Sequence, residues 1–246
     1  MNPRQLAKIA LANVTPLQVY LWFNARAAAM EIASRRRWEP EIEYLPSFVS
    51  AGDSVVDVGA NHGLYSYHLS RLVGAAGQVH AFEPVPLNLK ILSYTIERHR
   101  LRNVVVHPCA CGDKPETATF CVPLQHGVPF LWIARQGSDG LTFSCEVVRL
   151  DDVITGNVSL LKIDVEGAEL FVLRGAQRIL RDCQPALLIE ALGETRNYGY
   201  LQQDVFDFLA SMGYRFFIGS GEGQELQRRE RFTEARNYFC IPAEAN

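Results

Sequence analysis

From Ser54 onward the chain alternates short β-rich runs with stretches of helical periodicity, and this rhythm constrains its fold more than any other feature. Ser54–Val58, Val79–Phe82, Val104–His107, Leu160–Ile163, Ala186–Ile189 and Tyr214–Ile218 read as strands, and Tyr238–Ile241 as a last one. Leu64, Tyr65, His68, Leu69 and Leu72 recur at helical spacing, as do Ile91, Leu92, Thr95, Ile96 and His99. The same holds for Val172, Leu173, Ala176, Ile179 and Leu180, and for Val205, Phe208, Leu209 and Met212. Units alternating in this way imply an α/β fold, a mostly parallel sheet with helices on both faces. Residues 117–150 break the rhythm with two β-like runs, Thr117–Val122 and Cys145–Leu150, around a loop marked by Pro and Gly. Residues 1–45 read as an N-terminal helical extension that ends in Arg35-Arg36-Arg37, so the expected division is 1–45 and 46–246.

Composition limits what such a domain does. The 246 residues suffice for a core that needs no disulfide or metal staple. Lys and Arg total 24 against 27 acidic residues, so no global positive field exists to hold a polyanion, and nucleic acid is not an expected partner. Among the six cysteines Cys109 and Cys111 form C-x-C, and no paired His spacing completes a zinc site, so reduced thiols are expected. No secretory leader is legible at the N-terminus, and the apolar stretch Ile9–Met30 is interrupted by Asn13, Pro16, Gln18, Asn24 and Arg26. Stable membrane insertion is therefore not expected and a cytoplasmic location is. The N-terminal helices leave room for a homo-oligomer.

Asp57-Val-Gly-Ala-Asn-His-Gly63 falls where a strand turns into a helix. Gly59 suits a tight turn and close backbone approach, Gly63 lets the helix start against the strand, and the helix N-terminus offers N–H groups to a carboxylate. Asp57, at the strand end, suits an ammonium group, so the loop suits an amino-acid moiety. Asn61 stands where G-x-G-x-x-G would place its second glycine, which weakens a nicotinamide or flavin reading. Glu83 lies 20 residues beyond Gly63, directly after the second strand, where a carboxylate can accept both hydroxyls of an adenosine ribose. The plain alternative is that Glu83-Pro84 only punctuates a turn. Lys162-Ile-Asp-Val-Glu-Gly-Ala-Glu169 also follows a strand, so Asp164, Glu166 and Glu169 can hold a cation, position a cofactor, take a proton or cap the next helix.

These stretches, with Leu150-Asp-Asp152 and Ile189-Glu190, resemble the FkbM family of S-adenosylmethionine-dependent methyltransferases over roughly residues 45–242. The resemblance implies a class I methyltransferase, Rossmann-like, with a seven-stranded sheet whose last strand is antiparallel, and methyl transfer to a hydroxyl of a sugar or natural-product acceptor. By position it places Asp57, Gly59, Asn61 and Gly63 around the methionine part, Glu83 at the ribose, Cys109 and Ala110 at the adenine, and Asp164 on the far side, with Pro84 also among the cofactor-binding residues. Asp113 is a further adenine candidate. The product would be S-adenosylhomocysteine. Candidate bases for the acceptor hydroxyl are Glu166, Glu190, Glu194 and His62. A divalent metal on these carboxylates is compatible with the sequence but is not predicted from it. Phe130 and Trp132 in 123–142, and Asn197-Tyr-Gly-Tyr200, are candidate acceptor walls. The readings left beside O-methylation are N- or C-methyl transfer on the same fold, a ribose-directed nucleic-acid enzyme, and a non-catalytic cofactor-binding module. No N-P-P-Y-like tetrapeptide follows Ile163, which counts against base methylation.

Overall fold

A computed structural model describes residues 17–125, 128–129, 135–136, 140–191, 193–220, 225–230 and 236–243. Helix α1 (Leu17–Ala33) and a 3-10 helix (Pro40–Ser47) lead into β1 (Ser54–Val58), α2 (Leu64–Val73), β2 (Gln78–Phe82), α3 (Pro86–His99) and β3 (Val104–His107). Short strands β4 (Ala110–Cys111), β6 (Leu124–Gln125), β7 (Val128–Pro129) and β8 (Arg135–Gln136) accompany the longer β5 (Glu116–Val122) and β9 (Leu141–Val148). The chain continues as α4 (Leu150–Val153), β10 (Leu160–Ile163), α5 (Glu169–Arg174), α6 (Gln177–Asp182), β11 (Ala186–Ala191), a 3-10 helix (Gly193–Tyr198) and α7 (Gln202–Ser211). Strands β12 (Tyr214–Gly219), β13 (Leu226–Arg229) and β14 (Arg236–Pro242) follow.

The main sheet runs β13-β12-β14-β11-β10-β1-β2-β3. β1 pairs in parallel with β10 and β2, while β14 lies antiparallel between β11 and β12. The antiparallel last strand thus stands as expected, but the sheet has eight strands rather than seven. The extra one, β13, pairs antiparallel with β12 at the edge. Its sequence, Leu-Gln-Arg-Arg, lacks an apolar face, because an edge strand can be held by backbone hydrogen bonds alone. The two β-like runs of 117–150 do pair, β5 with β9, in a second sheet of order β4-β9-β5-β8.

Strand alternation divides the core. Val56, Val58, Leu161 and Ile163 face the side covered by α5, α6 and α7, and Val55 and Leu160 face the side of α2. The 3-10 helix Pro40–Ser47 crosses the 45/46 boundary and puts Tyr44 and Leu45 into the second core beside Val55 and Phe239. Fully burying a side chain such as Leu45 contributes roughly 1.5–3 kcal/mol, so this segment is fastened to the sheet. The single helix expected around Val172–Leu180 is instead two, α5 and α6, separated by Gly175-Ala176. A Cβ on Gly175 would lie 1.9 Å from the Gly112 carbonyl oxygen, so the break lets the second sheet's backbone approach. The run ending at Leu150 stops at Val148, and Leu150 opens α4, fully buried.

Candidate active site

The strand order reverses direction between β1 and β10, and loops leaving their carboxyl ends must diverge there and open a crevice. A cleft of about 580 Å³ lies at that point. It brings together Gly59, Asn61, His62, Glu83, Pro84, Cys109, Ala110, Asp113, Asp164, Glu166 and Glu190, and it adds Arg37, Glu39 and Tyr65, which the sequence had not marked.

Gly59 is at φ +78°, and a Cβ there would sit 1.8 Å from the Asp164 carbonyl oxygen. Only glycine lets the loop after β1 touch the loop after β10 so closely. Gly63 caps α2 at φ +90° and lies against Leu92 of α3, outside the cleft lining. Its part is helix packing rather than ligand contact. Two residues other than glycine flank the cleft in the left-handed region, Asn61 at φ 49° and Glu166 at φ 54°. Such positions carry strain that surrounding structure has to hold.

Asp57 is placed differently from the expectation of a ligand's ammonium group. Along β1 it shares a face with Val55, and it is fully buried and absent from the cleft lining. Its Oδ2 accepts the Ser66 hydroxyl at 2.6 Å, and its Oδ1 lies 3.7 Å from the Lys162 ammonium, its register partner on β10. Lys162 also donates to Asp164 Oδ2 at 3.0 Å and to the Gly59 carbonyl at 3.4 Å. Burial alone would lower the Lys162 pKa, but Asp164 and Asp57 outweigh it and hold the ammonium charged. The ammonium that Asp57 meets belongs to the protein.

Glu83 is buried, and burial pushes it up to about 7 against the bonds it accepts. Oε2 takes the Asn61 N–H at 2.7 Å, and Oε1 takes the Val85 N–H at 2.9 Å and the Asn88 amide at 3.3 Å. The turn-forming and ligand-holding readings therefore coexist: three bonds fix the loops, and a carboxylate's four lone-pair sites leave one over. Asn61 Oδ1 and Asn88 Oδ1, both on the cleft wall, are buried with no hydrogen-bond partner among the described residues. Buried acceptors of this kind call for a donor from a water or a ligand. Cys109 is pushed up to about 11 by burial, so it stands at the cleft as a neutral thiol.

Asp164, Glu166 and Glu190 offer oxygens within 4.8 Å of one another, so as residues they could hold a metal ion. Asp164 and Glu190 are tied to each other and to Lys162. Burial would raise Asp164, but Lys162 and a hydrogen bond from Glu190 hold it below the usual carboxylate range, its 31% exposure being toward the cleft. Glu190, raised by burial, by that bond and by Asp164's charge, titrates at about 9 and carries the shared proton at neutral pH. His62 Nδ1 lies 3.1 Å from Arg37 Nη1. Guanidinium only donates, so Nδ1 accepts and a neutral ring holds its proton on Nε2. Burial lowers the Arg37 pKa to about 10, still charged at pH 7. Tyr65 donates to Glu39 Oε2 at 2.6 Å, which ties the segment before the sheet to the cleft.

Glu169 is buried outside the cleft lining, accepting the Gly167 N–H at 2.9 Å and facing the Tyr200 hydroxyl. It acts as a local cap rather than a site residue. Asn197 and Tyr198 line the cleft, while the Tyr200 hydroxyl donates to the Gly167 carbonyl. Phe130, Trp132 and the Glu194 side chain lie outside the described residues.

Glu190 gives this site a testable pH signature. The folded chain keeps a proton there that the unfolded chain releases near 4.5, so the contribution is fully present below 4.5 and is lost as pH rises toward about 9. Glu83 and Glu169, raised to about 7, act in the same direction. Glu190→Gln stays neutral, and it is expected to melt about 3–6 °C above the parent at pH 9, a gain of about 1–2 kcal/mol after discounting for cleft solvent. Thermal melts at pH 5 and pH 9 check this; a variant whose melting temperature tracks the parent's at both would refute the shared proton.

The family model for the Methyltransferase FkbM domain matches residues 57–216. "31-O-demethyl-FK506 methyltransferase FkbM" of Streptomyces tacrolimicus is 31% identical, over 51% of this chain and 60% of that protein. "Methyltransferase 1" of Beauveria bassiana (strain ARSEF 2860) is 30% identical, over 49% of this chain and 57% of its own. The chain thus spans less than two thirds of the length of these relatives. Among solved structures, methyltransferase FkbM from Methylobacillus flagellatus KT superposes with a TM-score of 0.52 at 19% identity, covering 97% of this chain and 59% of that one. The fold is that of this class of methyltransferases. This chain belongs to the FkbM methyltransferase family.

Proposed function

We propose that this FkbM-family chain transfers the methyl group of S-adenosylmethionine to a hydroxyl oxygen of a small molecule, of sugar or natural-product type. The observation that carries the reading is the cleft at the β1/β10 switch point, with Glu83 and two unsatisfied asparagine acceptors on one side and three carboxylates on the other. S-adenosylmethionine, when bound, supplies an electrophilic methyl on a sulfonium and leaves as S-adenosylhomocysteine. Asn61 and Glu83 would hold its polar groups, Cys109 and Ala110 would bound the adenine, and Asp164 would face its positive charge.

The acceptor needs alignment and loss of a proton. Asp164 is committed to Lys162 and Glu190 already carries a proton. His62 turns its lone pair to Arg37. Glu166, in the left-handed region on the cleft wall just past β10, is the carboxylate assigned as the base from its position. A carboxylate base suits a hydroxyl, and the Streptomyces relative, named for an O-demethylated compound, favours oxygen. Tyr198, Asn197 and Arg37 would form the acceptor side.

A screen of hydroxylated small molecules with methyl-labelled donor tests the reading. Label is expected in an ether linkage, undiminished by EDTA, because Lys162 and the shared proton already offset the carboxylate charge. Glu166→Gln should lower kcat by about 10²–10⁴-fold while leaving S-adenosylhomocysteine affinity intact. Tight binding of NAD without binding of S-adenosylmethionine or S-adenosylhomocysteine would overturn the assignment. Activity abolished by EDTA and restored by magnesium would overturn the metal-free part.

A further inference from the structure

The outward face of α1 plays no part in the cleft and is unlike the rest of the surface. Val19, Trp22, Phe23 and Met30 are 39, 50, 46 and 62% exposed, and at 100° per residue they form one stripe with Arg26. The opposite side, Tyr20, Leu21, Ala25 and Ala28, is buried with Val85 and Ile91 of the domain. The helix is therefore apolar on two sides, one packed and one open. Trp22 and Phe23 meet edge to face at 5.0 Å, and the Arg26 guanidinium lies 4.8 Å over Trp22. A shallow groove beside the stripe is lined by Arg26, Met30, Arg36 and Arg98.

The charge around this face is one-sided. Residues 1–30 contain Arg4, Lys8 and Arg26 and no acidic residue, in a chain whose net charge is -3. The first acid, Glu31, interacts with Arg37. The exposed stripe, aromatic and apolar with arginines beside it, carries the residue types that seat a protein surface in a bilayer interface. Among the described residues no helix is long and apolar enough to span a bilayer. A second copy fits less well, because a two-fold contact through this face would gather Arg26, Arg36 and Arg98 of both molecules into one interface.

We propose that α1 docks the protein on an anionic phospholipid surface, with Val19, Trp22, Phe23 and Met30 in the interface and Arg26, Arg36 and Arg98 on headgroup phosphates. The docking is peripheral and reversible. Because only three residues separate α1 from Arg37 at the cleft, it also sets how the cleft is held relative to the bilayer.

Sedimentation of the full chain with vesicles tests this. Binding is expected to vesicles containing about 30% phosphatidylglycerol in phosphatidylcholine, with weak binding to phosphatidylcholine alone and a steep loss between about 0.1 and 0.5 M salt. Trp22→Ser/Phe23→Ser and Arg26→Glu/Arg36→Glu should each lower partitioning at least about tenfold, with melting temperature and S-adenosylhomocysteine binding unchanged, since all four side chains are exposed. No binding to the anionic vesicles, or variants that bind as the parent does, would overturn the proposal. So would a dimer in solution that Trp22→Ser/Phe23→Ser converts to monomer.

Discussion

Replacing Lys162 by methionine is expected to destabilise the fold by about 3–5 kcal/mol, because it leaves Asp57 buried without a counter-charge. For a domain of this size that is a fall of roughly 10 °C in melting temperature. The loss comes from the orphaned carboxylate rather than from the pair's own worth, so removing both partners should cost much less. Lys162→Met/Asp57→Asn is accordingly expected to recover more than half of the lost stability, the remaining amide still meeting the Ser66 hydroxyl. Thermal and urea melts of the three variants decide the matter. A Lys162→Met protein within about 1 kcal/mol of the parent would show that Asp57 does not depend on the ammonium.

Glu83→Ala is expected to weaken S-adenosylhomocysteine binding by about 10–150-fold, the loss of one hydrogen bond to a charged acceptor. Part of that loss is indirect, since Glu83 also fixes the Asn61 and Val85 amides. A ligand analogue lacking ribose hydroxyls separates the two effects. The parent should bind it much more weakly than S-adenosylhomocysteine, and Glu83→Ala should bind both alike, leaving a coupling term of about 1–3 kcal/mol. Calorimetry that shows the same penalty for the analogue in both proteins would leave Glu83 with only its loop-holding role.

The two variants probe different links between sequence and site. Glu83 was visible in the sequence because the signal is local: a strand, a glycine loop and a carboxylate at a fixed distance. Lys162 stood in a conspicuous motif, yet its role was not legible. It depends on β10 lying beside β1 in a register that sets residue 162 opposite residue 57, and that pairing joins segments about a hundred residues apart. Arg37 and Glu39 were missed for the same reason, because a short segment before the sheet returns to the cleft only through the packing of Tyr44, Leu45 and Tyr65.

The sequence by itself determined the order of strands and helices, the glycine loop after β1, the carboxylates at the strand ends and, through the resemblance of those stretches, the family. These are local signals, set by alternation of period two, helical periodicity and the φ freedom of glycine. Only the tertiary structure decided that Asp57 turns away from the cleft to a lysine, that Gly175 yields to the Gly112 carbonyl and splits a helix, and that a polar edge strand makes the sheet eight-stranded. It also decided that α1 keeps an apolar face outside. Each of these depends on which distant backbone lies within a few ångströms, and that is fixed by the whole core closing at once.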